Sequence, residues 1–165
     1  MDEDEIEARL AEIDNRNGDL YQRVGMLCTL FSGLETQLRD IVKLMEDAHN
    51  LPMEERLPAD EQYGKTVERM KSLTRAFLRD ETQTVVAPII TRLKQVGKKR
   101  NDIVHSSWNA TSGDLFHQER VRPRAVDPQS QEHATAPSFI ATVTEESADL
   151  IFELECLRRE RLKYD

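Results

Sequence analysis

The stretch Val85-Val86-Ala87-Pro88-Ile89-Ile90-Thr91-Arg92-Leu93-Lys94-Gln95-Val96-Gly97-Lys98-Lys99-Arg100-Asn101-Asp102-Ile103-Val104-His105 decides how the chain is read. Its apolar residues Val85, Val86, Ile89, Ile90, Leu93 and Val96, then Ile103 and Val104, recur at helical spacing. The pattern predicts a buried helix whose last turns carry the polar run from Lys98 to His105, followed by Ser106, Ser107 and Trp108, the only tryptophan. Pro88 lies inside the run, so the helix either begins near Thr84 or is kinked there. Gly97 costs such a helix up to about 1 kcal/mol relative to alanine. Close approach of backbone or ligand would explain it, as would simple tolerance.

The polar end has a regular geometry. At about 100° per residue, Asn101 and His105 are i, i+4 neighbours, and Asp102 and His105 are i, i+3 neighbours. Arg100 is adjacent to Asn101, and its long side chain can reach the same groove. The cluster combines a permanently charged fork of donors suited to phosphate oxygens with an imidazole that exchanges protons near neutral pH. Such a pair suits phosphodiester chemistry. A buried polar pair that fixes helix and dimer register is the structural alternative for Arg100 and His105.

Arg100-Asn101-Asp102-Ile103-Val104-His105 resembles the R-x(4–6)-H motif of the HEPN superfamily (higher eukaryotes and prokaryotes nucleotide-binding), in which a polar residue often follows the arginine. The motif covers six residues, and its context is a helical chain with an earlier long helix containing Phe31-Ser32-Gly33-Leu34-Glu35. The resemblance implies a small α-helical domain that pairs as a homodimer, with two motifs meeting at the interface. Many members are metal-independent RNA endonucleases of toxin–antitoxin, defence and RNA-processing systems. Others have lost catalysis and serve as dimerisation or binding modules. Carried onto this chain, the resemblance makes Arg100, His105 and Asn101 the catalytic residues. Lys98, Lys99, Asp102, Ser106, Arg120 and Arg122 are the residues expected around an RNA substrate, with no metal ligand and no cofactor.

Composition sets the class. A chain of 165 residues can form one domain that buries roughly 70% of its unfolded surface. The 38% hydrophobic and 33% charged content fits a soluble helical protein. No apolar run approaches the ~20 residues of a membrane span. The acidic opening Met1-Asp2-Glu3-Asp4-Glu5 is unlike a secretory signal. Cys28 and Cys156 are too few for a disulfide framework or a metal site, and a reducing cytoplasm is the expected setting. The net charge of −8 argues against broad nucleic-acid binding, though not against a small basic site. Arg92, Lys94, Lys98, Lys99 and Arg100 gather basic charge, as do Arg120, Arg122 and Arg124; by charge alone an ordinary solvated face accounts for them.

Along the chain, residues from about Asp4 to His49 read as helix. Ile6, Leu10 and Ile13 form a short stripe, and Leu20, Val24, Leu27, Phe31, Leu34, Leu38, Ile41 and Met45 continue at near-heptad spacing. Asn15-Arg16-Asn17-Gly18 is turn-like, which leaves one long helix with a soft spot or an arm over residues 1–17 before a core helix. Gly25 and Gly33 would permit a close helix neighbour, or are simply tolerated; Glu35 faces either the site or solvent. Asn50 to Asp60 breaks the pattern, and Pro58, Asp60 and Glu61 signal a new helix with Tyr63, Val67, Met70, Leu73, Phe77 and Leu78 on its apolar face. Arg79 to Thr82 reads as a junction.

After Trp108 the pattern changes, and residues 109–143 read as an insertion. Asn109 to Asp114 is a turn cluster, Leu115 to Val126 is one β-hairpin arm, and Phe139 to Val143 a second strand. Asp127 to Pro137 reads as a polar loop. Thr144, followed by Glu145 and Glu146, is the expected N-cap of the last helix, which runs to about Lys163. His49, His117 and His133 are scattered and make no zinc site; only His117 accompanies the arginine stripe. No glycine-rich phosphate loop, Ser/His/Asp set or H-E-x-x-H pair occurs.

The resulting expectation is one all-α domain over residues 1–165, a bundle of four or five helices with an irregular or β-hairpin insertion before the last. Its first function is RNA cleavage. The alternative is a non-catalytic helical dimer that binds a protein partner, such as a cognate regulator, or a nucleotide.

Overall fold

The computed structural model describes residues 3–110, 116–120, 129–133 and 136–160. It gives backbone alone at residue 3, in the strands from residue 107 onward, and at 136 and 160. The elements are α1 (Glu3–Ala48), a 3₁₀ turn (Met53–Glu55), α2 (Tyr63–Phe77), α3 (Asp80–Val104), β1 (Ser106–Ala110), β2 (Phe116–Arg120), β3 (Gln129–His133) and α4 (Ala136–Glu160). The architecture is all-α, with four long helices among the described residues and a small sheet inserted before the last. Two compact units divide the chain: Thr29–Lys98 with Glu145–Asp165, and Met1–Cys28 with Lys99–Thr144.

The first unit is a four-helix bundle. Phe31, Leu34, Leu38, Ile41, Val42 and Met45 of α1 are buried, as are Val67, Met70 and Leu73 of α2. So are Val86, Ile90, Leu93 and Val96 of α3 and Leu150, Leu154 and Leu157 of α4. Each set follows the three-and-four spacing that brings one helix face onto the core. Particular contacts join the helices. Tyr63 of α2 stacks at a tilt on Phe31 of α1, with ring centroids 4.7 Å apart, and donates its hydroxyl to Leu93 O of α3 at 2.9 Å. Burial, then the nearby Glu35 carboxylate, pushes the Tyr63 phenol above its usual range, so it stays a neutral donor.

Two devices hold the ends of this bundle. Helix α1 stops at a left-handed Asn50 (φ 52°), with Leu51 N–H donating to Glu46 O and Asn50 N–H to Asp47 O, both at 3.1 Å. That double bond pattern satisfies the last carbonyls, and asparagine tolerates the positive φ better than most residues. The Glu46 side chain, 3% exposed, accepts Arg69 Nε at 2.7 Å and Leu57 N–H at 3.1 Å. One buried carboxylate therefore ties α1, the following loop and α2.

Gly97 has a definite reason. A Cβ there would lie 2.6 Å from Tyr63 Cε1, so the glycine admits the tyrosine ring against the α3 backbone. Gly33 faces Ile151 of α4 at an ordinary 3.7 Å, while an added Cβ at Gly25 would meet nothing within 4 Å.

The second unit holds the first part of α1, the end of α3, the sheet and the start of α4. Leu20, Leu27, Ile103, Ile140 and Val143 are its buried anchors. The strands form an antiparallel meander in the order β1-β2-β3. Ser106 pairs with Arg120, Trp108 with Gln118, and Asn109 with His117; Arg120 in turn pairs with Gln129, and His117 with Glu132.

Several local expectations are corrected. Of the two readings of α1 the single long helix is the one observed, continuing through Asn15 to Gly18, whereas α3 starts at Asp80, earlier than Thr84, with Pro88 inside it. Pro88 is exposed, so the helical bond it cannot make is one that water can replace. Helix α2 starts at Tyr63, later than the Pro58 signal, with Gln62 as N-cap and no side-chain capping bond. Phe139 to Val143 is helix, not strand, and Thr144 is interior to α4 rather than its cap. Its hydroxyl donates back to Ile140 O at 2.8 Å, and that of Thr142 to Ser138 O at 2.9 Å. β-Branched residues sit in this helix because Ile140 and Val143, three apart, are both fully buried, and that burial outweighs their modest helix cost. The expected loop at 127–137 contains β3, and the expected turn at Asn109 falls within β1.

Candidate active site

Helix α3 ends at Val104, one residue before His105. The last turn is closed by His105 N–H donating to Asn101 O at 3.0 Å, so the i, i+4 relation of Asn101 and His105 holds at the backbone although His105 itself is outside the helix. Ile103, 1% exposed, is the apolar anchor that fixes the rotation of this turn. With Ile103 facing inward, Lys98, Asn101 and His105 are exposed and Lys99, Arg100 and Asp102 half-buried. Spacings of three and four residues along the helix account for that exposed line.

Arg100 and Asn101 act as a pair. Arg100 Nη1 donates to Asn101 Oδ1 at 3.1 Å, which restrains the guanidinium beside an exposed amide. A guanidinium has five donors in a fixed fork, and Arg100 makes further interactions beside this bond. Ser106 is committed differently: its hydroxyl donates to the Asp102 carbonyl, a bond that secures the step from helix to strand. The Asp102 carbonyl therefore serves the chain's own geometry.

The sheet brings a further basic residue close in register. β1 starts immediately after His105, and its first residue, Ser106, pairs with Arg120 at the end of β2. Residues 106 and 120 are fourteen positions apart in sequence; only the hairpin makes them neighbours. Arg122 and Arg124 lie outside the described residues, so the expected stripe with Arg120 is not part of this geometry. His117 pairs with Asn109, further along the hairpin.

The bundle has its own concavity, which sequence patterning did not single out. A groove of about 660 Å³ is lined by Lys71, Thr74 and Arg75 of α2, and by Asp80, Gln83, Thr84, Ala87, Ile90, Thr91, Lys94 and Gln95 of α3. Lys94 is already ion-paired to Glu68. No periodicity argument finds such a groove, because it forms only where the flanks of two helices are brought side by side. His49 stacks on Phe77, with ring centroids 4.1 Å apart and 15° between planes. Among the described residues, no three His, Cys, Asp or Glu side chains converge as a cation site would require, and no helix is long and apolar enough to cross a membrane.

Comparison with protein-family models, with curated proteins and with solved structures found no match to this chain.

Proposed function

We propose that the chain is a metal-independent RNA endonuclease of the HEPN type, acting as a homodimer in the cytoplasm, as a toxin or defence effector in company with a cognate regulatory protein. The observation that carries this reading is the end of α3: an exposed His105 one turn from the hydrogen-bonded Arg100–Asn101 pair. His105 removes the proton from a ribose 2′-hydroxyl, whose oxygen attacks the adjacent phosphorus as the bond to the 5′-oxygen breaks. The leaving oxygen gains a proton, and the products carry a 2′,3′-cyclic phosphate and a 5′-hydroxyl. Arg100 stabilises the charge that grows on the phosphate oxygens, and Asn101 positions Arg100. Lys98, Lys99 and Arg120 add local positive charge for the backbone, on a chain whose net charge of −8 limits binding elsewhere. DNA lacks the attacking hydroxyl and is not cut.

A second reading is favoured by the same acidic balance: a non-catalytic helical module whose motif end binds a protein or a nucleotide. Purified wild type and His105→Ala, each assayed on RNA in excess chelator with product ends identified, separate the two. The expected result is cyclic-phosphate ends from wild type and a loss of about 10²- to 10⁴-fold in the variant. Equal cleavage by both overturns the role of His105. No cleavage by either favours the binding module.

A further inference from the structure

The apolar stripe of α1 is a single heptad register. Because the helix is unbroken through Asn15 to Gly18, Ile6, Leu10 and Ile13 are in phase with Leu20, Val24 and Leu27 and with the bundle positions as far as Met45. The steps alternate four and three from Ile6 to Met45, which places Ile6, Ile13, Leu20 and Leu27 at d positions and Leu10, Asn17 and Val24 at a positions. From Leu20 onward the chain covers its own d positions: Leu20 and Leu27 are both 0% exposed. Before Leu20 that cover thins: Ile13 and Asn17 are half-buried, and Leu10 and Ile6 are 57% and 42% exposed.

The flanks of this uncovered stripe identify what fits it. The g positions are Arg9, Arg16 and Arg23, and the e positions Glu7, Asp14 and Tyr21. In a parallel, in-register pair, a g residue meets the partner's e residue five places on, so Arg9 meets the partner's Asp14 in both directions. An antiparallel pair would set arginines against arginines and carboxylates against carboxylates, which is unfavourable. Leucine at a with isoleucine at d favours assemblies of more than two strands when taken alone. Asn17 at a position a opposes this, since a single core asparagine sets register and favours two strands. Glu7, Arg9 and Asp14 are also exposed charges that a four-stranded core would bury more deeply.

We infer that the first part of α1 is a self-association surface, on which a second copy of the chain lies parallel and in register as a two-stranded coiled coil over residues 3–17. The inference does not depend on ribonuclease activity. The segment is short, about 22 Å of helix at 1.5 Å per residue, so the expected dimer is weak, with Kd on the order of 10 μM. The helix is already formed as part of α1, which removes the folding cost that isolated helices of this length pay.

Sedimentation equilibrium of the full chain up to about 100 μM tests this. Wild type should show a reversible monomer–dimer equilibrium. Leu10→Asp should raise Kd at least about 100-fold with unchanged helicity and melting temperature, because residue 10 is exposed in the monomer. Arg9→Glu should weaken the dimer about 10-fold, and Arg9→Glu with Asp14→Arg should restore it. Asn17→Cys, in a Cys28→Ser and Cys156→Ser background, should form an interchain disulfide on oxidation. Strengthening by Arg9→Glu overturns the parallel orientation, and a tetramer that Leu10→Asp takes directly to monomer, rather than to dimer, overturns the two-stranded assignment. A monomer at the highest concentration, or a dimer indifferent to Leu10→Asp, overturns the surface. A dimer lost in Arg100→Ala but kept in Leu10→Asp also overturns it, while leaving the ribonuclease reading intact.

Discussion

The two stretches of α3 have opposite chemistry on one continuous helix. Up to Lys98 its polar neighbours are satisfied internally: Tyr63 bonds the Leu93 carbonyl, Arg92 pairs with Glu153, and Gly97 makes room for a ring. From Lys99 to His105 the anchor is a single buried isoleucine, and the amide and imidazole face outward. The first stretch is built for stability. The second keeps polar groups accessible, as the proposed site requires. Substitutions in the bundle should therefore cost folding and those in the motif should cost function.

The largest separation is expected at the motif. His105→Ala should lower RNA cleavage about 10²- to 10⁴-fold while moving unfolding free energy by no more than about 0.5 kcal/mol, measured by urea denaturation beside the activity assay. A variant that unfolds instead would erase the distinction. Within the bundle, Glu46→Ala should cost about 3 kcal/mol, because it leaves Arg69 and the Leu57 N–H without their buried acceptor. A loss below about 1 kcal/mol would mean that water reaches both donors.

Gly97→Ala is more finely balanced. Alanine gains about 1 kcal/mol of helix propensity, but its methyl meets the Tyr63 ring, which is held by Phe31 and by the Leu93 carbonyl. Overpacking should win, for a net loss of about 1–2 kcal/mol. Adding Tyr63→Leu should remove most of the clash, so the two changes should be strongly non-additive in a double-mutant cycle. Additive costs would show that the ring is free to move.

The smallest effect is expected at Glu155. Its carboxyl is pulled down to about 2 by hydrogen bonds from Arg158 and then Arg159. A carboxylate with a depressed folded pKa stabilises above its unfolded value, near 4.5, and that contribution is lost as pH falls toward 2. Acid unfolding of Glu155→Gln should be slightly flatter than wild type across that window. The difference should be small, since the cluster is on the surface and screened by solvent.

Much of the helical core was legible in the residues. Apart from half-buried Val24, the positions from Leu20 to Met45, Val67 to Leu73 and Val86 to Val96 are buried as their spacing requires, because a helix face repeats every three to four residues wherever it packs. The Arg100-to-His105 motif was visible as a string of side chains. Its setting was not: local sequence could not say that the helix ends at Val104 or that Ser106 is engaged with the Asp102 carbonyl. Phe139 to Val143 misled because β-branched and aromatic residues favour strands only where a sheet surface is available to pack on. Gln129 to His133 misled in the other direction: its polar residues carry no apolar alternation, and its strand character comes from pairing with β2.

By itself the sequence determined which faces of the helices are apolar, the phase of the heptad stripe in α1, and which residues can do proton and phosphate chemistry. Those properties follow from side-chain identity and a fixed helical repeat. Tertiary structure alone decided that Gly97 serves Tyr63, that Glu46 joins three segments, and that Arg120 comes into register with Ser106. It also decided where the α1 stripe stops being covered by its own chain. Each of these depends on groups distant in sequence meeting at contact distance, and local periodicity carries no information about such meetings.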